Sequence, residues 1–88
     1  MYAVLVEFLG TLLLVGTVAF TGNPALIVAA LGIGVGLGGK ISGGHFNPAV
    51  SAWAWLAGKL PSTTAMYYVL AQVAAAVLVW VAHSLRME

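Results

Sequence analysis

Cysteine is absent from this 88-residue chain, and so is aspartate. Without thiols there is no disulfide and no thiolate metal site, and the redox compartment leaves no mark on the sequence. Charge is almost as scarce: three basic and two acidic side chains make up 6% of the residues, for a net charge of +1. A soluble domain of this length leaves much of its surface in water and needs charge to cover it. So few charges cannot do that, and lipid is the expected solvent. The small net charge gives no grip on nucleic acid or an acidic partner. The length allows one small domain. What the chain has instead is apolar residues, 62% of the total.

The runs of these residues predict an all-α membrane protein with three transmembrane helices plus one short extra helical element, in a single membrane domain over residues 1–88. Spans are expected at about 2–20, 25–40 and 63–85. At 1.5 Å per residue the first is long enough to cross roughly 30 Å of hydrocarbon. It lacks a basic leading segment and carries Glu7 inside its apolar run, so it reads as a retained helix and not a cleaved signal. "TGNP", Thr21 to Pro24, and "KLPSTT", Lys59 to Thr64, are turn signals, with Ser62 a candidate cap for the last span. Gly32 and Gly36, and Gly34 and Gly38, form small stripes where another backbone can come close. Ala71 and Ala75, and Gln72 and Ala76, do similar work on the last span. "GVGLGGK", Gly34 to Lys40, has the spacing of a phosphate loop. Ile41 follows where Ser or Thr is needed, and no aspartate is available for a metal, so nucleotide binding is rejected.

The segment "SGGHFNPAVS", Ser42 to Ser51, is the exception to all this apolarity. Asn47 before Pro48 reads as an N-cap with proline at the first helical position, where its missing N–H costs nothing. The helix it opens has about ten residues to Ala57, roughly 15 Å. Two readings fit that spacing: a kink in an ordinary bundle, or a loop and half-helix over about 41–57 that dips into the membrane and returns. Irregular backbone at that depth persists only where it is buried in protein or lines a water-filled cavity. In the second reading the carbonyls of Gly43, Gly44 and His45 form a row of acceptors. The row ends at the Asn47 amide and the positive end of a helix dipole, about half a charge. Such a path suits water and hydroxyls and repels protons and cations.

"GKISGGHFNPAVS", followed by "AWAWLAGKL" and "YYVLAQVAAA" and preceded by "VEFLGTLLLV", resembles the first half of an aquaporin, a member of the major intrinsic protein family. The resemblance implies that Asn47, Pro48 and Ala49 cap a half-helix at the centre of a pore, and that Gly43, Gly44 and His45 line the water path with their carbonyls. Asn23-Pro24-Ala25 repeats the triplet without its SGGH lead and reads as a turn and a helix start. A carboxylate inside a span costs about 2.5 kcal/mol or more and should face the interior with a partner. The resemblance suggests that Glu7 accepts hydrogen bonds from the loop backbone, with Gln72 acting likewise from the last span. The other use of Glu7 would be proton coupling, as in small multidrug transporters, which leaves the loop unexplained.

His45 and His83 are too few for a metal site without Cys or Asp, and neither a metal, a cofactor nor an enzymatic constellation is expected. Tyr2, Trp80, Tyr67 and Tyr68 suit aromatic belts at the membrane surfaces, and Trp53 and Trp55 suit packing. The resemblance covers one half of a two-half architecture. The expected completion is a second copy inserted upside down in the lipid, as in inverted repeats. The tetramers of the family imply that such dimers group in fours. The alternative is a non-conducting half that needs a separate partner chain. With the N-terminus inside, Lys40 and Lys59 lie on the inner side and Arg86 with Glu88 on the outer, a weak bias that permits both orientations. The family's second half has an arginine after its triplet. Here Val50 stands in that place and Ile27 near the aromatic filter position, so a pore with these two constrictions should pass water and small neutral solutes such as glycerol.

Overall fold

A computed structural model describes residues 2–86 as four α-helices: α1 Tyr2–Thr21, α2 Pro24–Ser42, α3 Pro48–Leu56 and α4 Ser62–Arg86. Three of them, α1, α2 and α4, are long and apolar enough to cross a membrane. The fourth, α3, has nine residues and spans roughly 13 Å. Helix α1 packs against both α2 and α4, and α3 packs against α4.

Each connection has a local chemical cause. At the first turn Gly22 adopts φ +60° and Asn23 caps α2, its side chain accepting from the Leu26 N–H at 3.1 Å. Helix α2 runs to Ser42, two residues beyond the Lys40 expected from composition, because the left-handed Gly43 is what stops it. The Gly43 N–H closes on the Gly39 carbonyl at 2.9 Å. The Gly34 to Lys40 stretch is therefore continuous helix, not a phosphate-binding loop. Helix α3 ends in a Schellman motif: Lys59 N donates to Ala54 O at 2.8 Å and Gly58 N to Trp55 O at 3.0 Å, with Gly58 left-handed. Ser62 does not serve as the cap of α4. The Pro61 carbonyl takes the Ala65 N–H, while Ser62 Oγ accepts from Trp55 Nε1 at 2.8 Å. Trp55 is thus tied to α4 by a polar bond, and Trp53 is exposed with Lys59 Nζ 5.9 Å above its ring.

The core mixes polar and apolar side chains: Glu7, Ser51 and Gln72 are buried with Phe46, Tyr68, Val79 and several alanines, while leucines, valines and tryptophans cover the outside. Ala65, Tyr68, Gln72, Ala75 and Val79 follow one another at helical spacing along the buried face of α4. Tyr68 therefore belongs to the interior and not to an aromatic belt, whereas Tyr2, Tyr67 and Trp80 are exposed. The two glycine stripes of α2 also differ. Gly32 and Gly36 face open space, whereas a Cβ on Gly34 would lie 2.9 Å from the Phe46 ring and one on Gly38 2.6 Å from Val6 Cγ1. Side chains, not a second backbone, fill the inner stripe.

Candidate functional site: the loop before the half-helix

Between the end of α2 and the start of α3, Gly43, Gly44 and Phe46 all have positive φ. The Gly44 N–H donates to Ser42 Oγ at 3.1 Å, and the next two N–H groups, of His45 and Phe46, converge on Glu7. Glu7 Oε2 accepts from Ser42 Oγ at 2.6 Å and from His45 N at 3.0 Å. Its other oxygen, Oε1, accepts from Phe46 N at 2.7 Å and from Gln72 Nε2 at 2.9 Å. The carboxylate is wholly buried, and four donors occupy both its oxygens. Hydrogen bonds to a charged group contribute about 1.5–3 kcal/mol each, which offsets the placement of a carboxylate in a membrane span.

A second set of bonds ties the loop to α3 and α4. Gln72 Nε2 also donates to Ser51 Oγ at 2.9 Å, and Ser51 Oγ lies 2.8 Å from His45 Nδ1. Tyr68 donates its hydroxyl to the Ser42 carbonyl at 2.6 Å and meets the His45 ring edge-on at 5.3 Å. Gln72 thus acts through the side chains of Glu7 and Ser51, not through the loop backbone. Its Oε1, with Thr11 Oγ1, is buried without a hydrogen-bond partner among the described residues.

Asn47 faces the other way. Its backbone is extended, its Oδ1 accepts from Ala49 N at 2.8 Å, and its own carbonyl accepts from Ser51 N at 3.1 Å. Oδ1 is thus held in the cap, on a residue that is exposed. Pro48, Ala49 and Val50 are exposed beside it, as is Gly43, while Gly44 and His45 are half-buried. The loop therefore has a closed side held by Glu7 and an open side carrying Asn47. Ile27 lies half-buried in the first turn of α2. Helices α2 and α3, which carry Ile27 and Val50, do not pack on each other. His83 packs edge-on against Phe20 at 5.3 Å. It lies fifteen residues beyond Tyr68 on α4, roughly 22 Å from the His45 neighbourhood, so the two histidines do not form a metal pair.

Three participants carried no marked role in the sequence. Ser42 and Ser51 bracket the loop as small polar residues, and that position was their signal. Phe46 is the third. Its ring is buried against α1 and α2, where a Cβ on Gly10 would overlap it. Its left-handed backbone, φ +52°, costs a non-glycine residue roughly 1–2 kcal/mol.

Three apolar helices, a capped half-helix on one of them, and a loop between whose backbone is tied to a buried carboxylate define a class of membrane bundle. Comparison with known proteins gives that class its family. The family model "Major intrinsic protein" matches residues 1–85, and the chain belongs to this family of integral membrane channels. It is 36% identical over 87 residues to the glycerol uptake facilitator protein-like 6 of Lactiplantibacillus plantarum, with 84% of this chain and 38% of that protein covered. It is also 36% identical over 87 residues to the aquaporin Z of Photorhabdus laumondii subsp. laumondii, covering 82% of this chain and 38% of that protein. The chain therefore spans about two fifths of the length of these relatives. No solved structure matches it.

Proposed function

We propose that the chain forms half of a passive channel for water and small neutral solutes, and that a second copy in inverted orientation completes the pore. The observation that carries this reading is the exposed Asn47 amide at the start of α3, with its acceptor locked in the cap and its donors free to meet a passing oxygen. Helix α3 is covered by α4 on one side, while Gly43 and residues 47–50 lie open. In hydrocarbon that open side requires either protein or a water-filled cavity. An inverted copy supplies both, by bringing two Asn47 donors and two opposed helix dipoles to one midplane. Val50 and Ile27, aliphatic in both copies, favour passage of solutes as large as glycerol. Family membership and the names of the relatives, one a glycerol facilitator and one an aquaporin, favour the same substrate class. Proton-coupled transport through Glu7 is disfavoured by its four donors, since loading a proton there means breaking bonds that hold the loop.

Stopped-flow osmotic shrinkage of proteoliposomes containing this chain alone tests the proposal, with Asn47→Asp beside it. The expected result is fast water flux of low activation energy, slower glycerol flux, and a changed rate in the variant. Termini tagged at both ends should be reachable from both faces of the membrane. Flux no faster than in empty liposomes, from folded protein, would overturn self-completion and turn attention to a separate partner half.

A further inference from the structure

We infer that Phe46 is a positioning residue: its ring, seated in a slot between α1 and α2, sets where the Asn47 amide stands. The observations are independent of the polar bonds around Glu7. Phe46 is 3% exposed although it belongs to a loop and immediately precedes the exposed Asn47. Its slot is cut to the ring by missing side chains on two helices. On α1, a Cβ at Gly10 would overlap Phe46 Cε1, with Cδ1 and Cζ each 2.6 Å away. On α2, a Cβ at Gly34 would stand 2.9 Å from Cε2, and one at Gly38 3.5 Å from Cζ. The ring fills the space left by Gly10 and Gly34, while Val6 Cγ1 takes the space over Gly38 at 2.6 Å.

The backbone carries the ring's position to Asn47. Phe46 holds φ +52°, a conformation that an aromatic residue keeps only when its surroundings fix it. Two things fix it: the 2.7 Å bond from its N–H to Glu7 and the slot around its ring. One peptide further on, Asn47 turns to extended backbone and caps α3. A displacement of the ring that χ1 and χ2 do not absorb rotates the Phe46–Asn47 peptide and moves the cap with it. The open face of the loop is thus set by a steric fit on its opposite side.

The inference rests on the channel reading only for its consequence, and its test separates the two. The chain in lipid nanodiscs is followed by amide hydrogen exchange at His45, Phe46 and Ala49, whose N–H groups are bonded. Gly10→Ala is expected to speed exchange at these sites by roughly tenfold or more while leaving α4 protected. Gly34→Ala, whose Cβ would clash with Cε2 at 2.9 Å, should give a smaller effect, and adding Phe46→Leu, which lacks Cε2 and Cζ, is expected to return it within about threefold of the wild type. In Gly10→Ala the same change relieves the Cε1 and Cζ overlaps but keeps a Cδ atom, so only part of the protection should return. Gly16→Ala, whose Cβ would meet only Val79 at 4.0 Å, should change nothing. Exchange unaltered in both glycine variants, or not restored by Phe46→Leu, would overturn the positioning role. In proteoliposomes the same variants should shift the ratio of glycerol to water permeability, which the number of folded molecules does not alter. A wild type that passes neither solute sinks the channel reading and leaves the exchange result to decide on Phe46.

Discussion

Asn23 and Asn47 each begin the triplet Asn-Pro-Ala, and each caps a helix that starts with its proline. In both, the side-chain oxygen accepts a backbone N–H, from Leu26 at 3.1 Å in one and from Ala49 at 2.8 Å in the other. The surroundings then diverge. Before Asn23 a single left-handed glycine makes an exposed turn between two spans. Before Asn47 three left-handed residues fold onto a buried carboxylate and a slot of glycines. The first copy starts a helix of nineteen residues and the second one of nine. The triplet is therefore a helix start in either place. What makes one copy a candidate pore element is the apparatus on the far side of its backbone.

The comparison can be broken most forcefully at Glu7. In Glu7→Gln, at least two N–H or O–H donors now face an amide NH2 group, and leaving buried donors unmet costs about 1–3 kcal/mol each. Denaturant unfolding in micelles should show a loss of about 3 kcal/mol or more, with residues 42–49 losing exchange protection before any span does. The Asn23 turn has no such node and should be unaffected. Next in size is the pair of cap variants. Asn23→Ala and Asn47→Ala should each lower stability by about 1 kcal/mol, as caps do. Only Asn47→Ala should also change water flux, by about fivefold or more if its donors line the path. Equal flux in the two variants would erase the distinction drawn between them.

Smaller effects sharpen the picture of the closed side. Tyr68→Phe removes the 2.6 Å bond to the Ser42 carbonyl and should cost about 1 kcal/mol in unfolding. Tyr67→Phe, one residue away and exposed, should cost nothing measurable. Least of all is Thr11→Val. The hydroxyl is buried with no partner among the described residues, so its replacement by a methyl of the same shape should be neutral or slightly stabilising in the same assay.

These contrasts also explain what could be read in advance. The spans, the turn at Asn23 and the cap at Asn47 follow from length, apolarity, glycine and proline, all of which act through neighbouring residues. The inward face of α4 does not. In lipid the outside of a helix is as apolar as its packing side, so hydrophobic periodicity loses its direction. Tyr67 and Tyr68 then look alike, although only Tyr68 shares the buried row with Ala65, Gln72, Ala75 and Val79. The spacing of that row around a glutamine is a signal the sequence does hold. Phe46 is harder to find. Its importance lies in the side chains that Gly10 and Gly34 lack, and nothing local links three positions on two spans and a loop.

The donors around Glu7 also imply an order of events in time. Glu7 is separated by 35 residues from Ser42, by 38 and 39 from His45 and Phe46, and by 65 from Gln72. If the chain folds as it is made, at roughly 5–20 residues per second, α1 enters the membrane seconds before its carboxylate has company. The first donors to emerge belong to the loop, so the unmatched carboxylate gives that loop a reason to turn back toward α1. Gln72 arrives last and closes the node from α4. The buried acid is then a nucleus for assembly as well as a brace, and a nascent chain cut short before Gln72 should hold its loop more loosely than one that extends past it.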